Sequence, residues 1–326
     1  QETMKLKDAI KIRINCYFIA GLMKGASLKF LIRSKVLDDI EKILSESKKR
    51  DLKDVDVGVR YFCVYFIDSL WFVFGKAVEP YMSRLIDLVM NFLGDNKDDI
   101  RHFAKQIIDS FMQNMSEFGI KQIIPTLLRG CNDKNWKTKL NSILALGAVA
   151  YCGSKQLSQS LPVIVPKLTN TINDTNEDIK QAAVKSLSLI LSTIKNPEIS
   201  EMRDIIIRSL SDPFNENVRS LDALLSTSFR HYIDGPALSL IMPIIIYGLK
   251  SSKTEIGKEK SAKVVASIAT LVSAEEDILP HVDVLIEALV SASKDSHAEV
   301  RAIAAKAFKS LVLRFKFLVN ITMNKV

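Results

Sequence analysis

Side chains able to do covalent or metal chemistry are few in this chain, and they stand apart. The 4 histidines, His102, His231, His281 and His297, are isolated along the sequence. None has neighbours in the closely spaced Cys/His pattern that holds zinc. The 4 cysteines, Cys16, Cys63, Cys131 and Cys152, are widely separated within apolar runs. That spacing suits reduced core thiols rather than a redox pair or a disulfide framework. No Gly-x-x-x-x-Gly-Lys-Ser/Thr loop cradles a phosphate, and no Gly-x-Ser-x-Gly elbow presents a nucleophile. The reading is therefore of a non-enzyme with no cofactor, no metal and no small-molecule substrate.

What remains is charge. The chain carries 45 basic and 37 acidic residues, a formal net charge of +8, which points mildly to a polyanionic partner. Three basic groups are candidate polyanion contacts: Lys48, Lys49 and Arg50; Lys134, Lys137 and Lys139 around Trp136; and Lys253, Lys258 and Lys260, flanked by Lys250 and Lys263 but diluted by Glu255 and Glu259. Each lysine is equally well read as solvated, and Trp136 as a packing anchor rather than a base-stacking platform. A second basic set belongs to a recurring phrase and is assigned to architecture. In it a turn aspartate caps the next helix, and an Arg or Lys pairs with an acid in its own or the next unit. Asp95 with Arg101, Asp174 with Lys180, Asp212 with Arg219 and Asp295 with Arg301 form this expected ladder. Each exposed pair in such a ladder contributes about 0–1 kcal/mol.

The elements that must position these groups follow from the same phrase. Its aliphatic markers Val59, Ile100, Trp136, Ile179, Val218, Ile256 and Val300 recur roughly every 36 to 44 residues, the period of HEAT or armadillo helix pairs. The predicted fold is all-α, a HEAT-repeat α-solenoid: a superhelical array of antiparallel helix pairs, about seven to eight repeats, running as one array over residues 1–326. Unit boundaries are expected near residues 33, 79, 119, 157, 198, 236 and 278. Pro80, Pro125, Pro162, Pro166, Pro243 and Pro280 mark the first helix of each pair, mostly at its opening turn, with a kink expected at Pro166. The second helices show a 3.6-residue apolar period, as in Ile179, Ala182, Ala183, Leu187, Ile190, Leu191 and Ile194. The apolar runs Tyr61–Phe74 and Leu140–Cys152 fall short of the roughly 20 residues that span a bilayer, and no signal peptide opens the chain, so a cytoplasmic location is expected. The chain starts inside a helical pattern and ends in apolar residues, as a piece of a longer array does.

Several stretches go beyond a generic repeat. Ala150-Tyr151-Cys152, Lys155-Gln156-Leu157-Ser158 and Leu161-Pro162-x-Ile164-Val165-Pro166-Lys167-Leu168 occur in that order. Trp136-Lys137-Thr138-Lys139, Lys195-Asn196-Pro197-Glu198-Ile199 and Phe229-x-His231-x-Ile233-Asp234-x-Pro236 accompany them, with Glu79-Pro80-Tyr81, Phe92-x-Gly94-Asp95 and Glu299-Val300-Arg301. From about Asn15 to Ala307 the chain resembles the general-control translational activators. These are giant ribosome-associated HEAT proteins required to switch on the amino-acid-starvation kinase acting on initiation factor two. The resemblance implies the segment similar to the HEAT region of elongation factor three. It further implies contact with the ribosome and with an ATP-binding-cassette partner protein, the starvation kinase being engaged by other regions of the full-length protein. Departures are Ser251-Ser252-Lys253 at a usually acidic-basic turn, Gly257 in place of a basic residue, and a charged 45–58 loop. Two other classes stay in view: the HEAT region of an elongation-factor-three-type ATPase, and a transport receptor or phosphatase scaffold holding a protein cargo.

Overall fold

The computed structural model describes residues 2–46, 56–151, 154–252, 254–272 and 274–316. Lys48, Lys49, Arg50, Lys253 and Cys152 lie outside the described residues. The chain divides into two compact units, Gln1–Gln156 and Leu157–Val326, and among the described residues every regular element is helical.

The first unit holds α1 (Glu2–Gly25), α2 (Leu28–Arg33), α3 (Val36–Glu46), α4 (Val57–Phe74), α5 (Glu79–Phe92), α6 (Asp98–Asn114), α7 (Glu117–Gly130) and α8 (Trp136–Ala148). Helices alternate between two layers: α3, α5 and α7 stack on one another, and α1, α4, α6 and α8 do the same. The remaining helices are α9 (Ser154–Ile172), α10 (Glu177–Ser192), α11 (Pro197–Glu201), α12 (Arg203–Ser211), α13 (Pro213–Ser226), α14 (Gly235–Lys250), α15 (Glu255–Leu271), α16 (Glu275–Ala292) and α17 (Ala298–Arg314). Its layers are α12, α14 and α16 against α13, α15 and α17, with α10 beside α12. This is the HEAT helix-pair fold that the forty-residue period predicts. First helices start at Glu79, Glu117, Ser154, Pro197, Gly235 and Glu275, within about three residues of the expected boundaries.

The prolines behave differently from expectation. Pro80 does sit at the start of its helix, but Pro125, Pro162, Pro166, Pro243 and Pro280 lie inside α7, α9, α14 and α16. α7, α9 and α14 begin about two turns before Pro125, Pro162 and Pro243, and α16 begins between one and two turns before Pro280. For α7 and α14 the start is set by caps that the apolar pattern hides: Ser116 accepts from Gly119 N at 3.2 Å, and Asp234 from Ala237 N at 3.1 Å. The run Val57–Phe92 is long and apolar enough to cross a membrane by length and composition. It folds back instead at Gly75, whose φ of +56° an L side chain adopts only under strain. The two halves, α4 and α5, then pack into opposite layers as core helices.

Within a pair the two helices cross on small residues. Buried Ser209 and Ser220 meet Oγ to Oγ at 2.9 Å between α12 and α13. Gly130 faces Ser142 across α7 and α8, and Gly248 faces Ser261 across α14 and α15; a Cβ on Gly248 would lie 1.9 Å from Ser261 Oγ. Overpacking of this kind costs about 1–3 kcal/mol. We therefore expect Gly248→Ala to destabilise the protein by about that amount in urea unfolding. Adding Ser261→Ala, which removes the clashing oxygen, should recover part of the loss.

Candidate interaction surface

The recurring phrase builds a device at the start of the second-layer helices. Asp95 is 1% exposed. One carboxylate oxygen accepts from the backbone N–H of Lys97 at 2.8 Å, closing the turn before α6. The other pairs with the guanidinium of Arg60, a buried side chain from the first turn of α4 in the preceding repeat. Arg101 then donates to the Asp95 carbonyl at 2.5 Å and pairs with Asp98. The second unit repeats the arrangement. Asp295 accepts from His297 N at 3.0 Å, and Lys258, reaching from α15, binds its other oxygen at 2.6 Å. Arg301 donates to the carbonyls of Asp295 and Ser296 at 2.8 and 2.7 Å. The His297 N–H, then Lys258, hold the Asp295 carboxyl well below the usual carboxylate range.

Two details of the expected ladder are corrected. Asp95, Asp133, Asp174 and Asp295 do not cap the following helix; each receives the N–H two residues on, that of Lys97, Asn135, Asn176 and His297. The cap position falls on that second residue, and Asn135 and Asn176 fill it with their side chains. Asp212 does cap its helix, accepting from Asn215 N at 3.2 Å. The register also shifts at two of the repeat markers, Trp136 and Ile256. Thr138-Lys139 and Gly257-Lys258, not Trp136-Lys137 and Ile256, stand third and fourth after the cap, where Ile100-Arg101 stands in α6. Lys180 and Arg219 pair within their own helices, with Glu177 at 3.4 Å and Glu216 at 3.7 Å.

A second set of ties, which the sequence pattern does not announce, links the starts of first-layer helices. Buried Glu79 accepts from Ser116 N at 2.9 Å and from its hydroxyl. Glu198 accepts from Arg230 N at 3.0 Å and contacts His231 Nδ1 at 2.9 Å. Asn196 donates to the Tyr232 carbonyl at 3.1 Å. The His231 hydrogen bond, then the Arg230 N–H, lower the Glu198 carboxyl to about 2. The one available signal is an acid or amide in the first turn of a first helix, echoed about thirty-five residues on.

The proposed basic contacts sort by this geometry. Lys258 is engaged with Asp295; Lys260 binds Asp222 at 2.6 Å; Lys263 pairs with Glu259; and Lys250 binds Glu287 at 2.9 Å. That group is neutralised by its neighbours. At α8 the picture is different. Lys134 is exposed, Lys139 is half-buried, and Lys137 sets its ammonium 5.8 Å from the Trp136 ring centroid. Trp136 is no packing anchor: the first residue of α8, it is 44% exposed. An exposed indole between lysines can stack on a planar group while the ammoniums meet anions.

A family described as "EF3 N-terminal HEAT repeat" matches residues 13–187, and one described as "Elongation factor 3/GNC1 HEAT repeat" matches 215–316. The "eIF-2-alpha kinase activator GCN1" of Dictyostelium discoideum is 34% identical over 90% of this chain and 11% of its own length. The "Stalled ribosome sensor GCN1" of Homo sapiens is 31% identical over 91% of this chain and 11% of its own length. "Elongation factor 3A" of Saccharomyces cerevisiae is 26% identical over 73% of this chain and 23% of its own length. The chain thus spans about a tenth of the length of the activators it matches. Among solved structures, Kap121p bound to Ste12p covers the whole chain and 30% of its own, at 13% identity and a TM-score of 0.45.

Leaving the Arg60 guanidinium buried without its partner should be severe. Asp95→Ala is expected to cost about 3–5 kcal/mol in urea unfolding, against no more than about 0.5 kcal/mol for Lys180→Ala, whose partner is solvated. The lowered Glu198 carboxyl stabilises the fold at any pH above its unfolded value of 4.5, and that contribution fades as pH falls towards about 2. Thermal melts between about pH 5 and 2 should show a shallower decline for Glu198→Gln than for the unmodified chain.

Proposed function

The chain belongs to the elongation factor 3 N-terminal HEAT-repeat family, and on that premise we propose that it is a non-catalytic scaffold segment in translational control. In this reading it helps hold an activator of the amino-acid-starvation kinase on the ribosome. Kinship supports the activator over the elongation factor: identity is higher, and runs over more of the chain, to the proteins named GCN1. An ATP-binding-cassette protein is the proposed companion, the kinase being engaged elsewhere in the full-length protein, and the setting is cytoplasmic.

The observation that carries ribosome contact is the turn before α8. It sets Trp136 out into solvent beside Lys134 and Lys137, while the Lys258 and Lys260 group is spent on internal ion pairs. Basic turns of this kind bind phosphate by releasing counterions, and each phosphate neutralised contributes about 0.7–0.9 to the salt slope. The stacking surface adds about 1–3 kcal/mol per base when one is available. Lys48, Lys49 and Arg50 stay in the proposal as a second contact of the same chemistry.

Sedimentation with purified ribosomes across a salt series tests this. Binding should weaken steeply with salt, and Lys134→Glu/Lys137→Glu should weaken it further and flatten the slope by about 1–2. Trp136→Ala should weaken binding while leaving the salt slope unchanged. Salt-independent binding, or no binding by the folded chain at low salt, would sink the ribosome assignment for this segment.

A further inference from the structure

The turn that opens α8 carries the opposite charge to its counterparts at α6 and α10. Asp133 to Lys139 holds three lysines against one acid. Asp95 to Arg101 holds three acids against two cations, and Asp174 to Lys180 three acids against one. The single acid at α8 is engaged in the turn itself, Asp133 accepting from Asn135 N at 2.7 Å. Trp136 and Lys137 stand where α6 has Asp98 and Asp99 and where α10 has Glu177 and Asp178. An exposed indole therefore replaces a carboxylate, with the Lys137 ammonium 5.8 Å from its centroid and Lys134 exposed just before it.

Such a turn asks two things of a ligand: a flat face for the indole and negative charge for the ammoniums. An arginine side chain meets the first and is repelled by the lysines. A carboxylate meets only the second. A nucleotide meets both, because its phosphate is joined to a planar base. Duplex RNA offers its phosphates alone: its bases cover one another's faces, and the deep, narrow major groove shuts side chains out. Open base faces belong to loops, bulges and ends.

We propose that the α8 turn selects unpaired RNA over duplex, Trp136 stacking on an open base while Lys134 and Lys137 meet phosphates of the same strand. This rests on the ribosome reading and narrows it to the kind of RNA that is gripped.

The test uses an oligouridine, a fully paired RNA duplex with the same number of phosphates, UMP and an oligoglutamate. Fluorescence anisotropy of the labelled oligomers gives their affinities, and UMP is measured by competition against the oligouridine. Intrinsic fluorescence reports stacking, because the chain has 2 tryptophans and the other, Trp71, is buried. The oligouridine should quench Trp136 and bind about tenfold more tightly than the duplex, the size of one stacked base. Trp136→Ala should bring the oligouridine down to the affinity of the duplex and leave the duplex unchanged. Trp136→Phe, which keeps a ring, should retain part of the difference. Both variants change an exposed side chain and should melt at the parent temperature. Equal affinity for the two RNAs, or an unchanged oligouridine affinity in Trp136→Ala, overturns the selection of unpaired RNA and leaves ribosome contact through phosphate standing. Binding of neither RNA at low salt overturns both readings. UMP or the oligoglutamate matching the oligouridine makes the ligand a free nucleotide or an acidic peptide, and overturns the proposal as well.

Discussion

The turn aspartate before a second-layer helix is the constraint from which most of this structure follows. In a stacked array each repeat touches only its neighbours, so register must be fixed between adjacent repeats. Asp95 does this by binding its own turn with one oxygen and the preceding repeat with the other. Asp295 does the same with His297 and Lys258. A carboxylate buried this far must be paired, because an isolated charge out of water costs several kcal/mol. Cations at the helix starts are thereby committed to holding the array together. In the turn before α8 an amide adds to these ties: Asn135 donates to the Gly94 carbonyl at 3.1 Å. Lys134 in that turn is exposed.

The two layers have different chemistry for reasons of packing. Close crossing inside a pair needs small residues, and Gly130, Ser142, Ser209, Ser220, Gly248 and Ser261 supply them. First-layer helices carry prolines in mid-course, Pro125, Pro166, Pro243 and Pro280 among them, each withholding one backbone N–H from its helix.

How much of this was legible in the sequence depends on which physical signal each residue carries. Helix pairing, repeat period and boundaries were legible because apolar periodicity reports directly on burial, as the Ile179–Ile194 face does. The helix starts at α7 and α14 were hidden: Ser116 and Asp234 cap two turns ahead of the proline that draws the eye. Trp136 was misplaced because an aromatic residue in an aliphatic register mimics a core marker, whereas Thr138 fills that position in α8 and is buried. The ion pairs of Lys258 and Lys260 could not be read, since their partners Asp295 and Asp222 are 37 and 38 residues away. Likewise nothing local marks Glu79 as the acceptor for the cap of α7.

The ties between repeats run along two edges: Arg60 to Asp95 where second-layer helices begin, and Glu79 to Ser116 where first-layer helices begin. Two parallel seams resist opening as well as sliding, much as a strip riveted on both margins bends without shearing. Under tension along the first unit, load passes from repeat to repeat through short polar links in series. Such a chain gives way one link at a time, each rupture releasing a single helix pair. Because each repeat touches only its neighbours, loss of one such tie should loosen a single junction while the adjoining repeats keep their form.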